Sequence, residues 1–113
     1  MSQYRKSTGY RGEEIVQSFY EDKWFRCVVK NFTMRWGELD LVLENAHECI
    51  VVEVKVVNYL ENLHDYITAS KLQALQRTIQ TYFWKYPTDK LVRLDVVFVK
   101  WSDIVEIFEA IEV

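Results

Sequence analysis

Two short β-type runs constrain this chain more than any other feature. The first is Gly37-Glu38-Leu39-Asp40-Leu41-Val42-Leu43, and a few residues on comes Ile50-Val51-Val52-Glu53-Val54-Lys55-Val56. Side chains alternate faces along a strand. In the first run Leu39, Leu41 and Leu43 then share one face, which leaves Glu38 and Asp40 on the other. In the second, Ile50, Val52, Val54 and Val56 share a face, with Glu53 and Lys55 opposite. Pairing as a hairpin sets Asp40, Glu53 and Lys55 side by side on one patch of sheet. Two carboxylates and an ammonium in such a patch form a candidate divalent-metal site.

A chain of 113 residues suits one domain with a proper core. We expect residues 9–113 to form it and residues 1–8, MSQYRKST, to be a flexible basic tail. Half the residues are hydrophobic, with only three Gly and one Pro, which favours compact structure over disorder. No apolar run approaches the roughly 18 residues needed to span a membrane, and the N-terminus lacks the apolar segment of a signal peptide. Cys27 and Cys49 fall in predicted strands without CxxC spacing, so free thiols in a reduced cytoplasm are expected. His47 and His64 fall in predicted loops with no partner at ligand spacing, which argues against structural zinc.

A net charge of −3 speaks against nucleic acid, because phosphate contacts need basic surface. Its distribution softens the objection. Asp103, Glu106, Glu109 and Glu112 fall in the last twelve residues with no base among them, which leaves the other 101 residues at +1. The first eleven carry Arg5, Lys6 and Arg11 and no acid, and these three are the candidate nucleic-acid contacts. A carboxylate cluster that binds metal is also less negative once loaded.

Taken in order, Ile15, Val16, Phe19 and Tyr20 recur at helical spacing and predict a helix from after Gly9 through Lys23. Glu13 and Glu14 then lie in its first turns, where acids complement the helix dipole. Trp24 to Thr33 reads as a strand, Trp36-Gly37 as a turn, Glu38 to Glu44 and Cys49 to Val57 as strands joined through Asn45–Glu48. A loop over Asn58–His64 leads to an amphipathic helix with Leu72, Leu75, Ile79, Tyr82, Phe83 and Tyr86 on one face. Ser70 or Asp65 can cap it, and Pro87 ends it. Strands at Leu91–Lys100 and about Ile104–Phe108 complete an αβββαββ order. That order predicts an α/β (α+β) fold, a mixed β-sheet with helices on its faces.

Each polar residue also has a plainer use. Glu53 and Lys55 can form an ion pair on a solvated face. Asp40, flanked by leucines, needs a partner for its charge. Glu38 sits at the strand's edge. Asp95 between Leu94 and Val96 poses the same question as Asp40, with Arg93 as a ready salt-bridge partner.

Asp40 followed thirteen residues on by Glu53-Val54-Lys55 resembles the D…(D/E)xK signature of the PD-(D/E)xK nuclease superfamily. A wider set resembles the YraN family, small bacterial proteins with a predicted endonuclease fold related to Holliday-junction resolvases. It comprises Gly9, Gly12-Glu13, Asn31, Gly37-Glu38-Leu39-Asp40-Leu41, Val52-Glu53-Val54-Lys55, Thr68 with Lys71, and Arg93-Leu94-Asp95-Val96-Val97. The resemblance runs from Gly9 to the C-terminus and implies a restriction-endonuclease-like fold. It implies metal ligation by Asp40, Glu53 and the Val54 carbonyl, and a water oriented or activated by Lys55. It places Glu13 as the acid from the first helix, with Glu38 and Lys71 in support. One departure stands out: where the family often has an arginine two residues after the motif lysine, this chain has Val57.

Hard oxygen ligands favour Mg²⁺ or Mn²⁺, and such an ion suits phosphodiester hydrolysis. Three functions stay open. One is a metal-dependent endonuclease acting on branched or damaged DNA, with RNA as an alternative substrate. The second is a nucleic-acid-binding module of the same fold with little chemistry, and the third is a protein-interaction domain built on the four Trp and seven Tyr. A two-fold homodimer is compatible with the first two.

Overall fold

Strands that are apolar on both sides need cover on both sides, and the chain supplies one helix for each. The computed structural model describes the backbone of residues 2–58 and 67–111 and the side chains of residues 12–58 and 67–111. Its elements are α1 (Ser2–Glu21), β1 (Arg26–Met34), β2 (Gly37–Glu44), β3 (Glu48–Val56), α2 (Ala69–Lys85), β4 (Leu91–Lys100) and β5 (Asp103–Ile111). The five strands form one sheet in sequence order, antiparallel except for the parallel pair β3–β4 that α2 bridges. The predicted αβββαββ mixed fold is therefore the observed one. Among the described residues, no helix is long and apolar enough to cross a membrane.

Alternation decides which helix each strand residue meets. Leu41, Leu43, Ile50, Val52, Val97 and Val99 pack under Val16 and Tyr20 of α1. Val42, Val51 and Leu94 face Ile79 and Tyr82 of α2 on the other side. Gly12 lets α1 lie close to β3, since a Cβ there would stand 3.0 Å from Val56 Cγ2 and 3.7 Å from Val54 Cγ1. Thr68 caps α2, its hydroxyl accepting from the Lys71 N–H at 3.3 Å. The cap thus falls between the two positions expected; Ser70 lies inside the helix, and Asp65 lies outside the described residues. Helix α2 stops at Lys85, two residues before Pro87, as proline chemistry requires.

Three expectations change. Helix α1 reaches back to Ser2 through the segment expected to be a tail. A glycine inside a helix costs only about 1 kcal/mol and does not by itself end it, so Gly9 is no boundary. Glu13 and Glu14 consequently sit in mid-helix, with no acid in the first turn, and the dipole account of them fails. Strand β5 is longer than predicted and runs to Ile111.

Asp95 is fully buried in β4, and its charge is answered more completely than Arg93 alone would do. Arg93 donates to it through Nε at 3.1 Å, the Tyr20 hydroxyl at 2.6 Å and the Ala110 N–H at 3.0 Å. Arg93 also reaches Glu48 on β3 at 3.0 Å. One carboxylate thereby ties α1, β4 and β5 together. Burial first, and then the hydrogen bond to Asp95, raises the Tyr20 pKa above its ordinary value, so the hydroxyl stays a donor. Since hydrogen bonds to charged groups contribute about 1.5–3 kcal/mol, Tyr20→Phe should lose stability in that range in urea unfolding; an unchanged midpoint would mean that the network is not what fixes α1.

Candidate active site

The ladder between β2 and β3 is short. It runs from Glu44↔Cys49 to Leu41↔Val52, and beyond that β2 stays paired with β1 while β3 stays paired with β4. Asp40 is the first β2 residue past the last rung. Its Oδ2 accepts the Val54 N–H at 2.8 Å, so a side chain fills the place that a strand carbonyl holds elsewhere. This is the partner that a carboxylate among leucines needs.

Alternation changes phase at the same point. Leu39 belongs with the α2-side cluster, whereas Leu41 and Leu43 lie under α1. The three leucines therefore do not share a face, contrary to the simple strand reading. Asn31, opposite Asp40 in the β1–β2 register, has φ 53°. That left-handed conformation is tolerated by Asn and re-aims side chains locally. Its side chain stands near enough to Glu13 to lower that carboxyl's pKa.

Glu13 reaches the opening from α1. It is buried, and its Oε2 has no hydrogen-bond partner. Glu14, one step on, is exposed. Carboxylate oxygens of Glu13, Glu38 and Asp40 lie within 4.8 Å of one another. Burial, and next the negative charge of Asp40, raises the Glu13 pKa, against the lowering effect of the Asn31 side chain.

Glu53 adjoins Asp40 from β3. Burial raises its pKa most, followed by a hydrogen bond to Asp40 and the Asp40 charge, while Lys55 pulls the other way. Glu53 and Lys55 line a cavity of about 260 Å³ whose opposite wall is α2, including Leu72, Leu75 and the buried Thr78. Lys71 and Trp36 border the same space. Gly37 is shaped to it as well, with φ +155° and room for a Cβ only 3.1 Å from Thr78 Oγ1.

Of the residues singled out in the sequence, Glu13, Glu38, Asp40, Glu53, Lys55 and Lys71 all come to this one region, and Val54 enters through its N–H. Arg5, Lys6 and Arg11 lie outside the residues whose side chains are described, as does His64. His47 is an exposed turn residue, and both cysteines are free. Val57, at the position of the departure, is buried with Val96 and Phe98 and donates its N–H to the Val99 carbonyl at 2.8 Å. Packing occupies that position here. The C-terminal acids Asp103, Glu106 and Glu109 ride on edge strand β5, two strands from β3, so they do not crowd the site. Asn31, which entered only with the family pattern, is the neighbour of Glu13 that residue chemistry alone does not reveal. Its signal is an Asn inside a β-branched and aromatic run, where that residue type is otherwise disfavoured.

Carboxylates gathered where two strands part, with a Glu-x-Lys on the inner strand of a mixed sheet between two helices, define an α/β fold of the PD-(D/E)xK nuclease type. The chain belongs to the family described as "Uncharacterised protein family UPF0102", whose model matches residues 12–99 and which is the YraN family that the motifs resemble. That span holds the whole carboxylate group and Lys55, and it leaves out β5. A UPF0102 protein of Aliarcobacter butzleri (strain RM4018) is 31% identical over 107 residues, covering 94% of this chain and 96% of its own. Another from Clavibacter michiganensis subsp. michiganensis (strain NCPPB 382) is 32% identical over 96 residues, 82% and 81% of the two chains. A third, from Campylobacter fetus subsp. fetus (strain 82-40), is 24% identical over 96 residues, 85% and 86%.

The raised pKa of Glu53 has a signed consequence for metal-free protein. Folded Glu53 keeps its proton to higher pH than unfolded Glu53 does, so the folded state binds more protons across that window and loses stability as pH rises through it. Glu53→Gln removes this penalty and can still donate to Asp40. In EDTA the variant should be more stable than wild type at pH 8 and gain less at pH 5, read by urea unfolding. A variant less stable than wild type at pH 8 would contradict the account.

Proposed function

We propose that this protein is a metal-dependent endonuclease that hydrolyses phosphodiester bonds in DNA, on branched or damaged structures. One observation carries the reading. A buried Glu13 oxygen has no hydrogen-bond partner, and Glu13 brings a carboxylate from α1 to within 4.8 Å of those of Glu38 and Asp40 on β2, beside a cavity lined by Glu38, Glu53 and Lys55. A buried carboxylate oxygen left unpaired is costly, and a divalent cation is the partner that answers all of these charges together. The donors are hard oxygens, which fit Mg²⁺ or Mn²⁺.

Asp40 would hold the ion from β2, Glu53 and the Val54 carbonyl from β3, and Glu13 from α1, with Glu38 at the rim. Bound there, the ion would supply charge neutralisation at phosphorus and leaving oxygen, and an acidified water. The residues of the chain do the rest. The Val54 N–H fixes the Asp40 carboxylate in one orientation, and the Asn31 amide favours the charged form of Glu13. Lys55, with Glu53 in the cavity wall, hydrogen-bonds the attacking water as its base or its positioner. Lys71 adds positive charge along the same wall, where a phosphate would lie.

Incubation with junction, flap, single-stranded and duplex DNA in Mn²⁺ tests the reading. Cleavage of at least one substrate is expected, falling about 100-fold or more in Asp40→Ala, within the range for loss of a catalytic group. No cleavage of any substrate, or cleavage indifferent to Asp40, would sink it. A second reading draws on Val57, which puts a core valine where the family often has a basic residue. On that reading the protein binds nucleic acid with little turnover, and salt-dependent binding without cleavage would favour it.

A further inference from the structure

All four tryptophans of this chain are exposed, but they are not alike. Trp24, Trp84 and Trp101 are more than 80% exposed, while Trp36 is 46% exposed and is the one that lines the cavity with Glu53 and Lys55. It stands in the β1–β2 turn, directly before Gly37. Two guanidinium groups lie over its ring, Arg35 at 5.1 Å and Arg77 of α2 at 5.0 Å from the centroid. Both arginines are themselves exposed.

We infer that Trp36 is a base-stacking platform, and that the site takes DNA with a single-stranded segment at or next to the scissile phosphate. The inference rests on the reading of the cavity as the place of phosphodiester chemistry. An indole face stacks on any base, and such stacking is stronger than an exposed guanidinium contact. An arriving base therefore displaces an arginine from the ring. The displaced guanidinium is left beside the phosphates that flank the base, where it pairs in a way a lysine cannot. Lys55 and Lys71 continue the positive charge along the wall towards the carboxylates. A duplex cannot use the platform, because its bases are already stacked on one another.

The net charge of −3 does not leave the cavity without bases: Lys55 and Lys71 line it together with Glu38 and Glu53, and Arg35 and Arg77 stand over the Trp36 ring at its edge.

The test measures binding of a labelled oligothymidine single strand and of a blunt duplex by fluorescence anisotropy, in Ca²⁺ to hold hydrolysis off. Wild type should prefer the single strand. Trp36→Ala and Trp36→Leu should each weaken single-strand binding roughly tenfold and leave duplex binding unchanged, while Trp36→Phe stays close to wild type. Arg77→Gln should lower the salt slope by about one. Leucine keeps the apolar cover of the cavity without an aromatic face, so full binding by Trp36→Leu overturns the inference. Equal loss on both substrates, or no single-strand binding by wild type at about 50 mM salt, overturns it too. Cleavage in Mn²⁺ is scored separately with Asp40→Ala as control. Trp36-dependent binding without cleavage supports the platform and removes the chemistry, whereas Asp40-dependent cleavage with indifference to Trp36 removes the platform alone.

Discussion

Where β2 leaves β3, the Val54 N–H loses its strand partner, and a buried N–H without an acceptor is rarely tolerated. The Asp40 carboxylate supplies the acceptor at 2.8 Å, and the rest of the site depends on that substitution. It holds the two half-sheets apart beyond Leu41↔Val52, so a cavity exists between the sheet and α2. It also brings a carboxylate to the fork in a fixed orientation. Gly12 then lets α1 approach Val54 and Val56 closely enough for Glu13 to arrive, and Asn31 meets Glu13 from β1 through its left-handed backbone.

The chain carries a second aspartate in an apolar strand, Asp95, fully buried where Asp40 is half-buried, and the comparison defines what the first is for. Asp95 accepts from Tyr20, Arg93 and the Ala110 N–H, a full set of donors with a guanidinium to balance its charge. Asp40 also replaces a strand carbonyl, but its other neighbours are Glu13, Glu38 and Glu53. One aspartate is neutralised inside the fold. The other concentrates negative charge, and burial together with that concentration raises the pKa of both Glu13 and Glu53. Such a group is stable only when a proton or a cation joins it.

Much of this was legible in the residues, for reasons that can be named. Period-two alternation at Leu41–Leu43 and Ile50–Val52 placed the central strands, and Pro87 marked the end of α2. Asp40 and Asp95 stood out as charges in apolar strands that had to be answered. The fork itself was not legible, because it is made by an absence of pairing, and alternation assumes that pairing continues. For that reason the phase change between Leu39 and Leu41 was missed, and with it the closeness of Glu38 to Glu13. Gly9 reads locally as a stop, although one glycine costs too little to end a helix, and α1 begins at Ser2. Tyr20 and Ala110 as partners of Asp95 are long-range contacts, which no local pattern carries.

Charge sets the remaining contrast. The chain is acidic overall, yet the acids of β5 are at the far edge of the sheet, and those at the fork are candidates for neutralisation by an ion. The central claim is that Asp40, Glu53 and Glu13 bind one divalent cation, and a calorimetric titration of the wild-type chain with Mn²⁺ tests it most directly. One ion bound per chain, with binding lost in both Asp40→Ala and Glu53→Ala, is the predicted result. No binding by wild type, or binding that persists in both variants, would contradict it.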